Sequence, residues 1–325
     1  MTSLIQHLAV WQFLLEKLEA SIPAVLLLVI ESHGSSPGRQ RFKMVVSNDG
    51  QMKGSIGGGI MEHKLVELAR SLLEKQDKSI LFKKQVHRPA AGNDRSGMIC
   101  SGEQVVVIVP LATSILTALK KALASDSAVL QVSATGLSFL EGHLSGKRYI
   151  TEIASATDWT YREDLFAKEV IHIIGGGHVG QALSRQMSIL GFYVKLYDNR
   201  PGLNTMASNT FANEKRVVEY DKIADQMDGN TRDYVVIMTF GYRDDKIVLK
   251  QLLNTDFVFL GMMGSKAKIE QLFHELKAEG FSEKALNRVR APVGVAIASK
   301  TPAEIGVSIA AEILRFRNLG EIPLG

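Results

Sequence analysis

The segment 169–200, EVIHIIGGGHVGQALSRQMSILGFYVKLYDNR, constrains the fold of this chain more strongly than any other stretch. An apolar run leads into glycines spaced Gly-x-Gly-x-x-Gly at Gly175, Gly177 and Gly180, and a second apolar run ends at Asp198. The first glycine of such a turn allows a sharp bend, the second leaves room for a ligand, and the third lets a helix lie close to a strand. The segment therefore predicts a strand–helix–strand unit whose turn faces an anion, with Asp198 accepting hydrogen bonds from a ribose.

The glycine turn admits more than one interpretation. It binds a nucleotide or a pterin phosphate, or it belongs to a Rossmann-like unit that packs in the same way without a ligand. Asp198 favours NAD over NADP, whereas Arg200, two residues later, is suited to a 2′-phosphate. His178 lies inside the turn, where we favour a solvent-facing residue of the first helical turn over a catalytic role. It is included among the candidate cofactor-binding residues.

Strands and helices alternate through the C-terminal part of the chain, which predicts a parallel sheet with right-handed crossovers. A last amphipathic helix is expected with Thr301 as N-cap and Pro302 as its first residue. The predicted strands are 169–174, 193–198, 216–220, 234–239 and 257–261, and the predicted helices are 178–190, 244–253, 265–279 and 301–317.

Two further loops are expected at the same edge of this sheet, 238–245 (MTFGYRDD) and 261–268 (GMMGSKAK), because each follows a strand and opens a helix. Ligands of open α/β sheets bind at the carboxyl ends of the strands. Ser265 and Lys266 either hold a phosphate there or serve as a helix cap and a solvated lysine. Asp244 and Asp245 are interpreted as helix N-caps.

The first part of the chain predicts a small mixed α/β domain. Its elements are expected at 3–20 (helix), 24–34 (strand), 41–59 (two strands around an Asn-Asp-Gly turn), 60–75 (helix), 79–87 and 103–110 (strands), 113–124 (helix) and 127–150 (two or three strands). The polar stretch 151–165 has no sustained periodicity. We therefore place the domain boundary after residue 153, which gives domains 1–153 and 154–325.

Two Gly- and Ser-rich turns in this first domain, ESHGSSPG and GSIGGG, have the composition of backbone anion-binding nests. The alternative is tight-turn geometry without a ligand. Arg39, Arg41 and Lys43 add positive charge beside the first turn. The candidate binding residues are Gly34, Ser35, Ser36, Lys43, Gly57, Gly58 and Gly59.

Cys100 is the only cysteine of the 325 residues, so no internal disulfide can form, and a reducing cytoplasmic location is expected. It is either a small buried hydrophobe or a reachable thiol in the turn formed with Ser101 and Gly102. The net charge of +4 is spread without a Lys/Arg block, which argues against nucleic acid as a partner. No apolar run reaches the ~18 residues of a membrane span, and the eight histidines show no metal-ligand spacing.

Taken together, these motifs resemble the xanthine dehydrogenase accessory (XdhC/CoxI) family, in order and over nearly the whole chain. The resemblance implies a small mixed α/β XdhC/CoxI domain followed by a Rossmann-like parallel-sheet domain. The motifs are GSSPG, FKMVVSNDG, GSIGGGIMEHKLVELA, GMICSGEQVVVIVP, VIHIIGGGHVGQAL, YDNRP, FLGMMGSKAKIEQL and APVGVAIASKTPAEIGVSIAAEI.

The resemblance also implies a function as a molybdenum-cofactor chaperone. Such a protein binds the cofactor as molybdopterin or its dinucleotide form, receives it sulfurated with the help of a cysteine desulfurase, and inserts it into a xanthine dehydrogenase-type molybdenum hydroxylase. In this family the cysteine that corresponds to Cys100 is a candidate ligand to molybdenum, and a thiolate is a suitable soft ligand.

The chain departs from the family pattern at two places. The family's Cys-Gly-Gly is Cys100-Ser101-Gly102 here, and Phe240-Gly241 replaces the histidine segment of the family's Thr-His-Asp motif. The second departure favours a chaperone over an enzyme. The alternatives are an NAD(P)-dependent oxidoreductase and a scaffold that binds nucleotide only for stability; the apolar stripes on the helices at 3–18 and 301–317 serve a homodimer or the core.

Overall fold

A computed structural model of the protein describes residues 2–87, 102–144, 147–229 and 232–319. Contacts within the chain divide it into two compact units. The N-terminal unit comprises Ile5–Ala167, and the C-terminal unit comprises Lys168–Gly325 together with Met1–Leu4. None of the helices in the described ranges is both long enough and apolar enough to cross a lipid bilayer.

Within the described residues, the N-terminal unit contains two antiparallel sheets and three α-helices. Its elements are α1 (Thr2–Glu19), β1 (Ala24–Gly34), β2 (Lys43–Ser47), β3 (Met52–Gly54), α2 (Gly59–Glu74), β4 (Leu81–His87), β5 (Gly102–Leu111), α3 (Leu116–Ala124), β6 (Ala128–Ser133), β7 (Gly136–Glu141), β8 (Tyr149–Ile153) and β9 (Trp159–Asp164). One sheet has the order β3-β2-β1-β5-β4 and the other the order β7-β6-β9-β8.

Strand β1 is buried on both faces, which explains its continuous apolar sequence. Leu26 and Leu28 belong to a core cluster that includes Trp11 of α1 and residues of the second sheet. Leu27 and Val29 point the other way, into a cluster with the apolar face of α2. The five-stranded sheet is therefore covered on both sides.

The segment 151–165, whose lack of periodicity placed the predicted domain boundary there, forms most of β8 and all of β9. Strand β9 pairs with β6 on one side and with β8 on the other. Trp159 and Tyr161 are buried in the core of the N-terminal unit. The compact unit consequently extends to Ala167 rather than ending at residue 153.

Glu163 of β9 is a fully buried carboxylate. Its charge is neutralised by Lys43, the first residue of β2, and by Arg41, which precedes that strand. It accepts hydrogen bonds from Lys43 Nζ at 2.8 Å, Arg41 Nε at 3.1 Å and the Tyr161 hydroxyl at 2.8 Å. Burial lowers the pKa of the Lys43 ammonium to about 8, although the Glu163 carboxylate opposes this shift. Lys43 is thus a structural partner of Glu163 and not a free charge beside a glycine turn.

The C-terminal unit has a six-stranded parallel sheet with helices on both faces. Its elements are β10 (Val170–Ile174), α4 (His178–Ile189), β11 (Tyr193–Asp198), α5 (Asn204–Ala207), β12 (Glu214–Val217), α6 (Ile223–Gln226), β13 (Tyr234–Ile237), α7 (Tyr242–Leu252), β14 (Phe259–Met262), α8 (Lys266–Ala278), α9 (Glu283–Asn287), β15 (Val289–Arg290) and α10 (Pro302–Leu319). The strand order β12-β11-β10-β13-β14-β15 is the Rossmann order.

The two faces of this sheet are covered by different helices. Leu183 of α4 and Ile309 of α10 lie in one core cluster, and Val248 of α7 and Leu272 of α8 lie in the other. This confirms the predicted fold class, a mixed α/β part followed by a Rossmann-like parallel-sheet part. In such a fold the crevice between β10 and β13, where the strand order reverses, is the usual ligand site.

The pKa of Lys43 predicts a measurable pH dependence of stability. The folded-state pKa of about 8 lies below the ordinary lysine value of 10.5, so the unfolded state binds more protons between these values and the free energy of unfolding rises with pH there. At 1.36 kcal/mol per pKa unit, the rise attributable to Lys43 is on the order of 3 kcal/mol. Urea unfolding of wild type and Lys43→Met across this window should show the rise in wild type only.

Lys53, an exposed neighbour on β3, provides the matched control. Lys53→Met should keep the wild-type pH dependence because its ammonium is solvated. A Lys43→Met protein whose stability changes with pH in parallel with wild type would contradict the assigned burial of the charge.

Candidate functional site

The glycine loop (residues 175–180) connects β10 to α4, and each glycine of the Gly-x-Gly-x-x-Gly pattern has a different environment. Gly175 has a φ of +125°, and a Cβ there would lie 2.2 Å from the Met238 carbonyl oxygen. A Cβ on Gly180 would lie 2.0 Å from the Gly175 carbonyl oxygen. A Cβ on Gly177 would meet nothing within 4 Å. Packing therefore requires the first and third glycines, whereas the second borders open space at the start of the helix.

Asp198, at the end of β11, binds the glycine loop and its own following residues. Its carboxylate accepts hydrogen bonds from Gly176 N at 2.7 Å and from Arg200 N, Nε and Nη2 at 2.8–2.9 Å. Burial alone would raise the pKa of this carboxyl, but these hydrogen bonds outweigh it and hold the pKa below the usual value. In this arrangement Asp198 does not present an acceptor to a ribose as expected from the sequence, because all four donors come from the protein.

Phe240 is an exposed aromatic residue at the carboxyl end of β13, where the sequence indicated only a departure from the family pattern. Its side chain is 84% exposed, and its ring centre lies 5.7 Å from Arg200 Cζ. The sequence signal for this exposed surface was an aromatic residue three positions after a buried strand and directly before Gly241. The end of β13 thus places an aromatic face beside the guanidinium of Arg200.

The loop 238–245, which contains Phe240, is fixed by buried hydrogen bonds between Thr239 and Asp245. Asp245 accepts hydrogen bonds from Thr239 N at 3.0 Å and the Thr239 hydroxyl at 2.6 Å, and it pairs with Lys268 of α8. The N-cap of α7 is Gly241, with no side-chain cap, so Asp244 and Asp245 lie in the first turn instead of capping the helix. Asp245 is a structural anchor of the loop.

Ser265 and Lys266 occupy the start of α8. Ser265 is the N-cap and its hydroxyl accepts a hydrogen bond from Lys268 N at 3.3 Å. Lys266 is exposed. The geometry corresponds to the capping interpretation, with a solvated lysine beside the cap.

His178 begins α4 and is exposed to solvent. It lines a groove of about 450 Å³ between α4 and the start of α10, together with residues such as Gln181, Phe211 and Thr301. This placement agrees with a solvent-facing residue of the first helical turn.

In the N-terminal unit, the two Gly- and Ser-rich turns pack directly against each other and against the start of β5. A Cβ on Gly38 would lie 2.2 Å from the Ile56 carbonyl oxygen, and one on Gly57 would lie 2.4 Å from Gly38 N. A Cβ on Gly102 would lie 2.5 Å from Ser36 N. We call this close approach of three backbone segments the glycine junction.

The first turn of the glycine junction is satisfied by a buried amide. The Ser36 hydroxyl and Gly38 N donate to Gln104 Oε1 at 2.6 and 3.0 Å, and Gln104 Nε2 donates to Gln85 Oε1 at 2.6 Å. Gly34 ends β1, and its carbonyl accepts a hydrogen bond from Arg39 Nη1. The Ser36 hydroxyl and Gly38 N, both donors of this turn, therefore already have acceptors within the protein.

In the second turn, backbone N–H groups converge on a carboxylate of the protein itself. Gly57, Gly58 and Gly59 all have positive φ. The Glu62 carboxylate accepts hydrogen bonds from Ile56 N at 2.8 Å, Gly58 N at 3.0 Å and a serine hydroxyl of the same turn. Although burial opposes it, this set of donors lowers the pKa of Glu62.

Cys100, the proposed metal ligand, lies outside the described residues. Within those residues, no group of three or more His, Cys, Asp or Glu side chains is arranged to hold a metal ion. Gly177 borders open space at the start of α4, as Gly58 does at the start of α2. Gly58 N already donates to the Glu62 carboxylate, whereas no described residue accepts a hydrogen bond from Gly177 N.

The environments of Gly177 and Gly180 predict that a small side chain lowers the stability of the C-terminal unit at Gly180 but not at Gly177. Gly180→Ala should destabilise the C-terminal unit by about 1–3 kcal/mol or more, because its methyl group would overlap a backbone carbonyl. Gly177→Ser should keep the wild-type melting temperature, since serine is a good N-cap and the space is open, but should weaken nucleotide binding. Melting curves and calorimetric titrations with NADH, NADPH and cytidine diphosphate test both outcomes. Equal stability of the two variants would contradict the assigned packing.

The comparisons with known proteins agree with this two-part architecture. The family described as "XdhC and CoxI family" matches residues 18–82, and the family described as "XdhC Rossmann domain" matches residues 171–313. A crystal structure described as that of a xanthine dehydrogenase from Bacillus halodurans superposes with a TM-score of 0.67 at 23% identity, covering 96% of this chain and 98% of that one. At this identity the likeness shows the fold.

Two curated relatives are similar over part of their length. The Escherichia coli (strain K12) protein YqeB is 25% identical over 301 residues, which is 92% of this chain and 44% of that protein. A Bacillus subtilis (strain 168) protein, named as a probable component of xanthine dehydrogenase, is 23% identical over 145 residues, 45% of this chain and 42% of that protein. The chain thus spans less than half the length of either relative. Because the two family matches together cover more than half of the sequence and occur in the order of the two units, the chain belongs to the XdhC and CoxI family.

Proposed function

We propose that this protein is an accessory protein that binds molybdenum cofactor and delivers it to a xanthine dehydrogenase-type molybdenum hydroxylase. The observation that carries the proposal is the open space at Gly177, in front of α4, in a chain of this family. A cofactor with a phosphate group needs such a set of unshielded backbone donors. The names of the relatives from Bacillus subtilis and Bacillus halodurans support the choice of client enzyme.

The chemistry of the glycine loop fits the phosphate of this cofactor. The first N–H groups of a helix have no partner within the helix, and the helix dipole favours an anion there. Gly176 N already donates to Asp198, so the donors for the phosphate are the N–H groups of Gly177, His178 and Val179. Either the pterin phosphate or the diphosphate of a dinucleotide form can occupy this position.

We assign the metal to Cys100 within the same proposal. A thiolate is a soft ligand suited to molybdenum, and it can also carry the sulfur that a cysteine desulfurase partner supplies. Support comes from Gly102, because its close packing against Ser36 ties the start of β5 to the first glycine turn. We further propose that the protein is cytoplasmic and forms a homodimer.

A second candidate function is that of an NAD(P)-dependent oxidoreductase. The Rossmann strand order and the glycine loop favour it, since dinucleotides bind at this point of the fold. Calorimetric titration with NADH and NADPH, followed by a search for turnover of small substrates, separates the candidates. Tight nucleotide binding with turnover favours the enzyme, whereas a rise in melting temperature without turnover or cofactor transfer favours a scaffold.

The role of Cys100 predicts loss of the metal when the thiol is removed. Protein purified from cells that make molybdenum cofactor should carry pterin and molybdenum, and Cys100→Ala should retain at least about tenfold less molybdenum, in line with the effect of perturbing metal-site residues. Elemental analysis and pterin fluorescence measure both components. Ser101→Ala is the matched control in the same segment. Equal molybdenum in wild type and Cys100→Ala would contradict the ligand assignment.

A further inference from the structure

The hydrogen bonds of Asp198 leave it unable to receive an unmodified ribose. A carboxylate offers about four acceptor positions. Gly176 N and three donors of Arg200 occupy them, and the carboxylate is fully buried. A ribose hydroxyl would have to displace a charge-assisted hydrogen bond from the guanidinium, and such a bond is stronger than one from a neutral hydroxyl. Asp198 therefore acts as a positioning residue for Arg200.

One edge of the Arg200 guanidinium faces Asp198, and the opposite edge faces away from it. Its Nε and Nη2 atoms face Asp198, and its side chain is 40% exposed. No described residue accepts a hydrogen bond from Nη1, so the outer edge of the guanidinium can receive an incoming group. A guanidinium keeps its charge at all ordinary pH values and its planar donor pair matches a phosphate.

Phe240 adds an aromatic surface beside this guanidinium. Its ring is 84% exposed and its centre is 5.7 Å from Arg200 Cζ. It stands at the end of β13, the strand that adjoins β10 where the order of the sheet reverses. Nucleobases stack on such a face, and a neighbouring guanidinium strengthens the contact.

From these three observations we infer that the C-terminal unit selects an adenine dinucleotide with a 2′-phosphate over one without it. Arg200 binds the 2′-phosphate, Phe240 stacks on the adenine, and the glycine loop receives the diphosphate. This inference rests on nucleotide binding by the C-terminal unit, the property shared with the second candidate function, and does not depend on molybdenum.

Calorimetric titration of the full chain with NADPH and NADH tests the inference. Wild type should bind NADPH at least about tenfold more tightly than NADH, because each charge-assisted contact to the phosphate is strong. Arg200→Leu should lose this preference, and its affinity for NADH should rise because two acceptor positions of Asp198 become available to the ribose. A structural role of Arg200 alone would weaken both ligands equally.

Other variants separate stacking from charge. Phe240→Ala should weaken NADPH and NADH by the same factor, roughly tenfold for the loss of one stacked base, and Phe240→Tyr should restore both affinities. Arg185 lies over Phe211 at 5.8 Å elsewhere in the same unit and provides a matched cation–aromatic pair. Arg185→Leu should leave both affinities unchanged. Melting curves establish that each variant is folded.

Equal affinities of wild type for the two nucleotides would overturn the inference, as would an unchanged preference in Arg200→Leu. Failure of wild type to bind either nucleotide would overturn it together with the oxidoreductase candidate. Molybdenum and pterin content, measured on the same Arg200→Leu preparation, reports on the chaperone proposal separately, because that proposal requires the glycine loop and Cys100 but not Arg200.

Discussion

The arrangement of the loops at the carboxyl ends of β10 and β11 depends on the carboxylate of Asp198. It links the backbone after β10, through Gly176 N, to the residues after β11, through Arg200. On the other side of the loop, the Thr205 hydroxyl donates to the Gly176 carbonyl at 2.6 Å. With Gly176 fixed from both sides, Gly177 and the first turn of α4 face outward with the backbone donors that a helix start leaves unused. A single buried carboxylate thus fixes the turn at Gly176 and leaves the space at Gly177 open.

The contrast with the glycine junction shows why glycine-rich turns are not equivalent as anion sites. The GSIGGG turn has the left-handed residues of a nest, but the Glu62 carboxylate already occupies its donors. The turn at Gly38 is satisfied by Gln104. A turn can receive an external ligand only where the chain does not supply its own acceptor. No described residue accepts a hydrogen bond from Gly177 N, and the space beside Gly177 is open.

Local patterns in the sequence were sufficient for the strands β10 to β14, the helices α4, α7, α8 and α10, and the packing glycines, because apolar periodicity and glycine spacing report on near neighbours. They did not predict β15 or the short helices α5, α6 and α9. They failed where burial depends on distant residues. Glu163 contributes to the polar composition of 151–165, which placed the predicted domain boundary there, yet Lys43, far away along the chain, neutralises this carboxylate inside the core. The sequence also did not reveal that the acceptor positions of Asp198 are occupied, because it does not show that the Arg200 side chain turns back to the carboxylate.

The strand that carries Asp198 is itself fixed by a buried polar chain that no motif indicated. The Tyr197 hydroxyl lies 3.0 Å from His172 Nδ1, and His172 Nε2 lies 3.0 Å from Asp233 Oδ2. Burial raises the pKa of Tyr197, so its hydroxyl stays protonated within this chain of contacts. The Tyr197 carbonyl also accepts a hydrogen bond from Gly175 N at 2.8 Å. Because polar groups buried in a low-dielectric core are unfavourable unless paired, this chain favours one register of β10, β11 and β13, and that register sets where Asp198 meets the glycine loop.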